Sequence, residues 1–319
     1  MASKKTRLQI VARGAAGSGK RAGAAGQARR APAQVSGQWL LKALAVSIAA
    51  AVLCAWGALC LLFWQGAWQL LYHPASRVVR TPAAAGLAFE AVGFDATDEG
   101  VARLSGWWIP AAPDARYGRL TVLFLHGRNG NLGDSVDALA RLHASGLNVF
   151  AFDYRGYGQS QFVRPSEDHL RQDVESALTY LTGTRHVAAN TIVLFGQELG
   201  ANLALEAAAA HPELAGVVLE SPIGAPMNAV FNDARARMVP AHLLVRDRYD
   251  LDAAAAAVRI PVLWFETTPQ AGQAGAVQQP AAFSKIRARD TLVWLAPSMD
   301  RNRAFADAFS RWLDELPRP

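Results

Sequence analysis

The sequence predicts an α/β fold, a mostly parallel sheet with helices on both faces and a small cap, preceded by one membrane-crossing helix. Three observations point there. From residue 120 onward, short and continuously apolar runs alternate with helical patterns, as expected of strands buried on both faces. A Gly-x-x-x-Gly turn, Gly196-Gln197-Glu198-Leu199-Gly200, joins the apolar run Ile192-Val193-Leu194-Phe195 to an alanine-rich helical pattern. Residues 43–64 are 22 positions without a charge.

Taken in order, residues 1–42 read as a disordered basic tail. They hold nine of the 32 Lys and Arg and no acid, leaving 23 basic against 26 acidic residues for the rest of the chain. The basic balance therefore belongs to the tail, which has too few large apolar residues to build a core. Gly14 to Arg21 nearly spells a phosphate-binding loop, but Arg21 replaces the required hydroxyl and no strand precedes it. No cofactor and no metal are expected. Residues 1–38 hold no aromatic residue, which argues against nucleic acid as a partner.

The uncharged run 43–64 is long enough to cross a hydrocarbon core, which needs about 20 residues. Trp39, Trp64, Trp68 and Tyr72 flank it, where aromatic rings favour the interface. It reads as a signal anchor, because Trp64-Gln65-Gly66-Ala67-Trp68 lacks the small residues of a cleavage site. The membrane is thus the expected partner of a single-pass chain. The tail's positive charge puts the N-terminus in the cytoplasm and the domain outside it, in the periplasm if the source is bacterial. Cys54 and Cys60 both fall within the anchor, so no disulfide is expected in the domain.

Residues 65–82 read as a linker and 83–316 as the domain. Phe89 to Asp95 and Val101 to Ile109 read as a hairpin about Asp98-Glu99-Gly100. Strands follow at 120–125, 148–152, 192–195, 216–220, 261–265 and 291–295, with helices at 134–144, 167–181 and 302–316. Residues 222–250, containing Met227, Phe231, Met238 and Pro240, interrupt the alternation. They read as a cap over the carboxyl ends of the strands, where open α/β sheets bind ligands.

Several stretches together resemble one family. They are Leu71-Tyr72-His73-Pro74, the run Leu125 to Asn131, the run Phe152 to Ser160, the 196–200 turn and the run Leu243 to Asp250. In this the chain is similar to membrane-anchored α/β-hydrolases of the abhydrolase-domain and serine-aminopeptidase-like groups. The resemblance implies a nucleophile elbow, G-x-S-x-G, at 196–200. It implies a Ser, Asp and His triad acting on esters, thioesters or amides. Carried over residue by residue, the nucleophile position is Glu198 and the acid position is Gln270. The base position is Ser298, or Met299 if the alignment slips by one. All three residue types are unsuited to the triad. Arg128 and Leu199 match the oxyanion-hole positions. His126, Gly127 and Glu220 are expected about the cleft, with His126 bracing its turn.

Other chemistry at the site is weighed against this. His242, in the cap, is the one histidine placed to act as a displaced base. A Glu198 nucleophile would form an ester that needs a His-activated water for release. Glu220 could share a proton with Glu198 as a carboxylate pair. The reading drawn is a non-catalytic hydrolase fold, with the cleft kept for a small acyl-type ligand or a protein partner. A divergent ester, thioester or amide hydrolase, and a membrane scaffold with a filled pocket, are the readings beside it.

Overall fold

The computed structural model describes residues 36–96, 100–268, 279–296 and 300–317. The chain divides into two compact units, residues 1–52 and 53–319. Within the first, residues 37–52 are helical and open the long helix α1 (Gly37–Gly66). Glycine and glutamine start it, and the apolar residues that follow surround the axis on all sides. It is a helix long and apolar enough to cross a membrane. Its side chains are exposed almost throughout, Val46 at 68% and Leu62 at 66%.

The second unit is built on an eight-stranded sheet. In chain order its strands are β2 (Glu90–Ala96), β3 (Ala102–Ile109), β4 (Thr121–Leu125), β6 (Asn148–Asp153), β7 (Ile192–Gln197), β8 (Gly216–Glu220), β9 (Val262–Thr267) and β10 (Asp290–Leu295). In space they run β2-β3-β6-β4-β7-β8-β9-β10. Strand β3 is antiparallel to both β2 and β6, and every other pair is parallel. The central strands are apolar at nearly every position because helices cover both faces. All of β4 and residues 192–196 of β7 are buried. One face packs under α3 (Glu167–Thr179), α4 (Leu199–Ala210) and α7 (Leu251–Ala257), with the short helices α5 (Asn228–Phe231) and α6 (Ala241–Leu244) between the last two in the chain. The other packs under α2 (Val136–Ala144) and α8 (Arg301–Asp314), where Phe195, Phe305 and Phe309 meet edge to face or tilted.

Strand order turns back at β4, whose neighbours are β6 and β7. Chain leaves β4 and β7 in opposite directions, which opens a crevice at their carboxyl ends.

The stretch 65–82, expected as a linker, is instead packed into this unit. Leu71 and Tyr72 are buried, and β1 (His73–Pro74) pairs in parallel with β5 (Asn129–Gly130). Asn131 Nδ2 donates to the carbonyls of Ala75 (3.1 Å) and Arg77 (2.9 Å), so the strap braces the loop after β4. A two-residue strand carries no periodicity, and Pro74 and Pro82 give it the look of a spacer.

Candidate functional site

The turn after β7 is held by steric necessity. A Cβ on Gly196 would stand 2.2 Å from the Gly200 carbonyl oxygen, and one on Gly200 would stand 2.2 Å from the Leu125 oxygen. Only glycine fits where strand, turn and helix approach so closely. Between them Glu198 takes φ +49° and ψ −116°, a conformation that costs a non-glycine residue about 1–3 kcal/mol. Its N–H donates to the Glu220 carbonyl (3.0 Å) and its carbonyl accepts from Ala201 N–H (3.1 Å), which pins the turn. The α4 helix starts at the next residue, so Leu199 N–H has no carbonyl one turn back.

A cleft of about 300 Å³ opens here, lined by Gly127, Asn129, Ser135, Gln197, Glu198, Glu220 and Ser221. The Glu198 carboxylate folds onto Gly127: Oε2 lies 3.0 Å, and Cδ 3.4 Å, from where a Gly127 Cβ would stand. Glu220 faces other partners. Its Oε2 accepts from Arg141 Nη2 and Gln197 Nε2, both at 2.7 Å, and Arg141 lies 3.9 Å over the Phe305 ring. The proton-sharing pair of Glu198 and Glu220 weighed from the sequence gives way to a guanidinium–carboxylate pair.

His126 lies beneath the cleft and does not line it. It is 1% exposed, with Nδ1 2.7 Å from the Gly127 oxygen and the Tyr154 and Tyr157 rings at 4.4 and 5.1 Å. Its Nε2 stands 3.7 Å from Asp153 Oδ1. Burial pushes the imidazole down to about 4 and the Asp153 carboxyl up to about 7. A neutral imidazole walled in by tyrosines braces the turn and cannot reach a substrate.

Of the residues expected about the cleft, Gly127, Glu198 and Glu220 line it, whereas His126, Arg128 and Leu199 do not. Gln270, Ser298 and Met299 lie outside the described residues. No residue of 222–250 lines the cleft. His242 lies tilted against Phe231 with ring centroids 4.0 Å apart, within that segment. Sequence reasoning missed Asn129, Ser135, Ser221 and the Arg141 partner. Arg141 and Glu220 are 79 positions apart, and no local pattern announces the pair. Ser221 takes φ +51°, for which Glu220-Ser221-Pro222 gives no clear signal.

Comparison with known proteins adds to this geometry. The serine aminopeptidase, S33, family profile matches residues 118–248. An uncharacterized protein of Mycobacterium tuberculosis is 33% identical over 208 residues, covering 64% of this chain and 69% of its own length. The chain belongs to the serine aminopeptidase-like α/β-hydrolase family. Alpha/beta hydrolase domain-containing protein 17C of Homo sapiens is 34% identical over 134 residues, 42% of this chain and 39% of that protein. Among solved structures, an esterase of Pyrococcus furiosus superposes with a TM-score of 0.57 at 17% identity, covering 76% of this chain and 97% of its own. This α/β-hydrolase chain thus has the sheet order, the strained turn and the close-packed glycines of its fold, with a carboxylate at the turn.

Proposed function

We propose that this α/β-hydrolase is a single-pass membrane protein that has exchanged acyl-transfer chemistry for binding at the elbow. The observation that carries this reading is the Glu198 carboxylate on the strained turn, folded onto Gly127. An acyl-transfer site needs a nucleophile and a base that takes its proton. Glu198 is the wrong nucleophile for a triad, and His126 is buried, neutral and turned to Asp153. Gln270 and Ser298 are taken as the lost acid and base positions, and the N–H groups of Arg128 and Leu199 as the remnant of the oxyanion hole.

The cleft lining consists of a carboxylate, amides, hydroxyls and a glycine, with Glu220 already matched by Arg141. That polar lining, with the Glu198 carboxylate among it, suits a small hydrogen-bonding ligand such as an amine better than an acyl chain. Helix α1 serves as the anchor, with the basic tail in the cytoplasm and the domain outside.

A second reading has one observation behind it: the hydroxyl residues Ser135 and Ser221 line the same cleft. A displaced serine nucleophile would make the chain a divergent hydrolase. A fluorophosphonate probe on the full chain separates the two. No labelling is expected. Labelling abolished by Ser135→Ala or Ser221→Ala would establish the divergent hydrolase instead.

A further inference from the structure

We propose that residues 231–246 form a wedge that enters an anionic phospholipid leaflet beside α1, an inference that rests on the reading of α1 as a membrane anchor. The depth of the wedge follows from one hydrogen bond. Trp56 Nε1 donates to the Met238 carbonyl oxygen at 3.1 Å. Trp56 stands eight residues before Trp64, the aromatic residue at the end of the uncharged run, which is about 12 Å along a helix rising 1.5 Å per residue. Met238 therefore lies below the level that Trp64 marks, where a lone carbonyl finds no water and needs a protein donor. The indole supplies it.

The side chains agree with that depth. Leu243 is 82% exposed and Met238 55% exposed, on a segment where Ala236, Val239 and Ala241 are buried. A groove of about 590 Å³ separates Cys60, Leu61 and Trp64 from Leu243, Leu244 and Arg246. It is apolar along its length and basic at Arg246, the order of an acyl chain and its phosphate.

The charges select an anionic lipid. The side chains of Arg237, next to Met238, and Arg246 make no hydrogen bond or ion pair among the described residues. Arg164 lies 5.4 Å over the Trp64 ring. By contrast Arg235 is paired with Asp233, and Arg248 is bound to the carbonyls of His242, Val245 and Asp247. Basic side chains beside a bilayer are drawn to anionic headgroups, while their apolar stems stay in the boundary region. The segment thus faces the bilayer instead of covering the Glu198 cleft.

The test uses the full chain in vesicles of phosphatidylglycerol and phosphatidylcholine, with Cys54 and Cys60 changed to alanine. A nitroxide on Leu243→Cys should collide with oxygen and lose contact with an aqueous nickel chelate. The same label on Asp307→Cys, exposed on α8, should show the reverse order. Nickel contact at 243 equal to that at 307, with a Leu53→Cys label still shielded, would overturn the wedge and leave the anchor standing. Nickel contact at Leu53→Cys would overturn both. Arg237→Gln with Arg246→Gln should reduce the shielding at 243 to that found in phosphatidylcholine alone. Shielding that is the same in both lipids and in this variant would overturn the choice of an anionic lipid.

Discussion

The carboxylate of Glu198 lies against Gly127, with Oε2 3.0 Å from the place a β-carbon would occupy. The two residues belong to the two turns that frame the cleft, one after β7 and one after β4. Glu198 thus reaches back over the site it stands in, and Gly127 is what lets it do so.

Gly127→Ala should displace the end of a flexible side chain and be tolerated. In the Glu198→Ala background the displaced group is gone, and the cost of Gly127→Ala should shrink. A double-mutant cycle read by denaturant unfolding should give a coupling on the order of 0.5 kcal/mol or more. Strict additivity would place the carboxylate elsewhere.

Gly200→Ala meets a different obstacle. Its new methyl group would lie 2.2 Å from the Leu125 oxygen and 2.4 Å from the His126 oxygen, both backbone atoms that cannot turn aside. A loss of roughly 3 kcal/mol or more is expected, the upper end of overpacking costs. Unfolding midpoints within error of the parent would show that the turn is looser than described.

Tyr72 joins the segment after α1 to the loop before α7. Its hydroxyl donates to Asp247 Oδ2 at 2.6 Å and lies 2.7 Å from the Tyr249 hydroxyl, in a buried setting. Tyr72→Phe should lower stability by about 1–3 kcal/mol, because Asp247 and Tyr249 lose a partner away from water. No change in the detergent-solubilised chain would mean that water replaces the hydroxyl.

Asp153 gives the fold a pH dependence of definite sign. Burial raises its carboxyl to about 7, so the folded chain keeps a proton that the unfolded chain releases near 3.8. The stability this contributes is present at low pH and is lost as pH rises towards 7. His126, lowered from 6.5 to about 4, acts in the opposite sense and loses stability as pH falls through that window. Comparing the parent with Asp153→Asn isolates the first effect. The parent's advantage should decline between pH 4 and 7 by at most about 1.4 kcal/mol per pH unit. An advantage independent of pH would mean that Asp153 ionises as an ordinary carboxylate.

The parallel sheet was legible because β4, β7 and β8 are apolar at successive positions, a pattern no solvated strand tolerates. The elbow was legible because its two glycines answer a steric demand that no other residue meets. Pairings across long separations were not legible. Nothing near Arg141 points to Glu220, and nothing in His73-Pro74 points to Asn129-Gly130. The segment 222–250 was recognised as an interruption, but the surface it covers depends on where α1 comes to lie. Nothing local to Met238 announces the bond its carbonyl accepts from Trp56.

Turnover of p-nitrophenyl acetate by the intact chain in nanodiscs tests most directly whether Glu198 has ended the chemistry of this fold. The parent chain, Glu198→Ala and Glu198→Ser should all be indistinguishable from buffer, because a carboxylate without a base cannot turn over and neither can a serine. Steady turnover by the parent that disappears in Glu198→Ala would contradict the binding role and make Glu198 a catalytic residue.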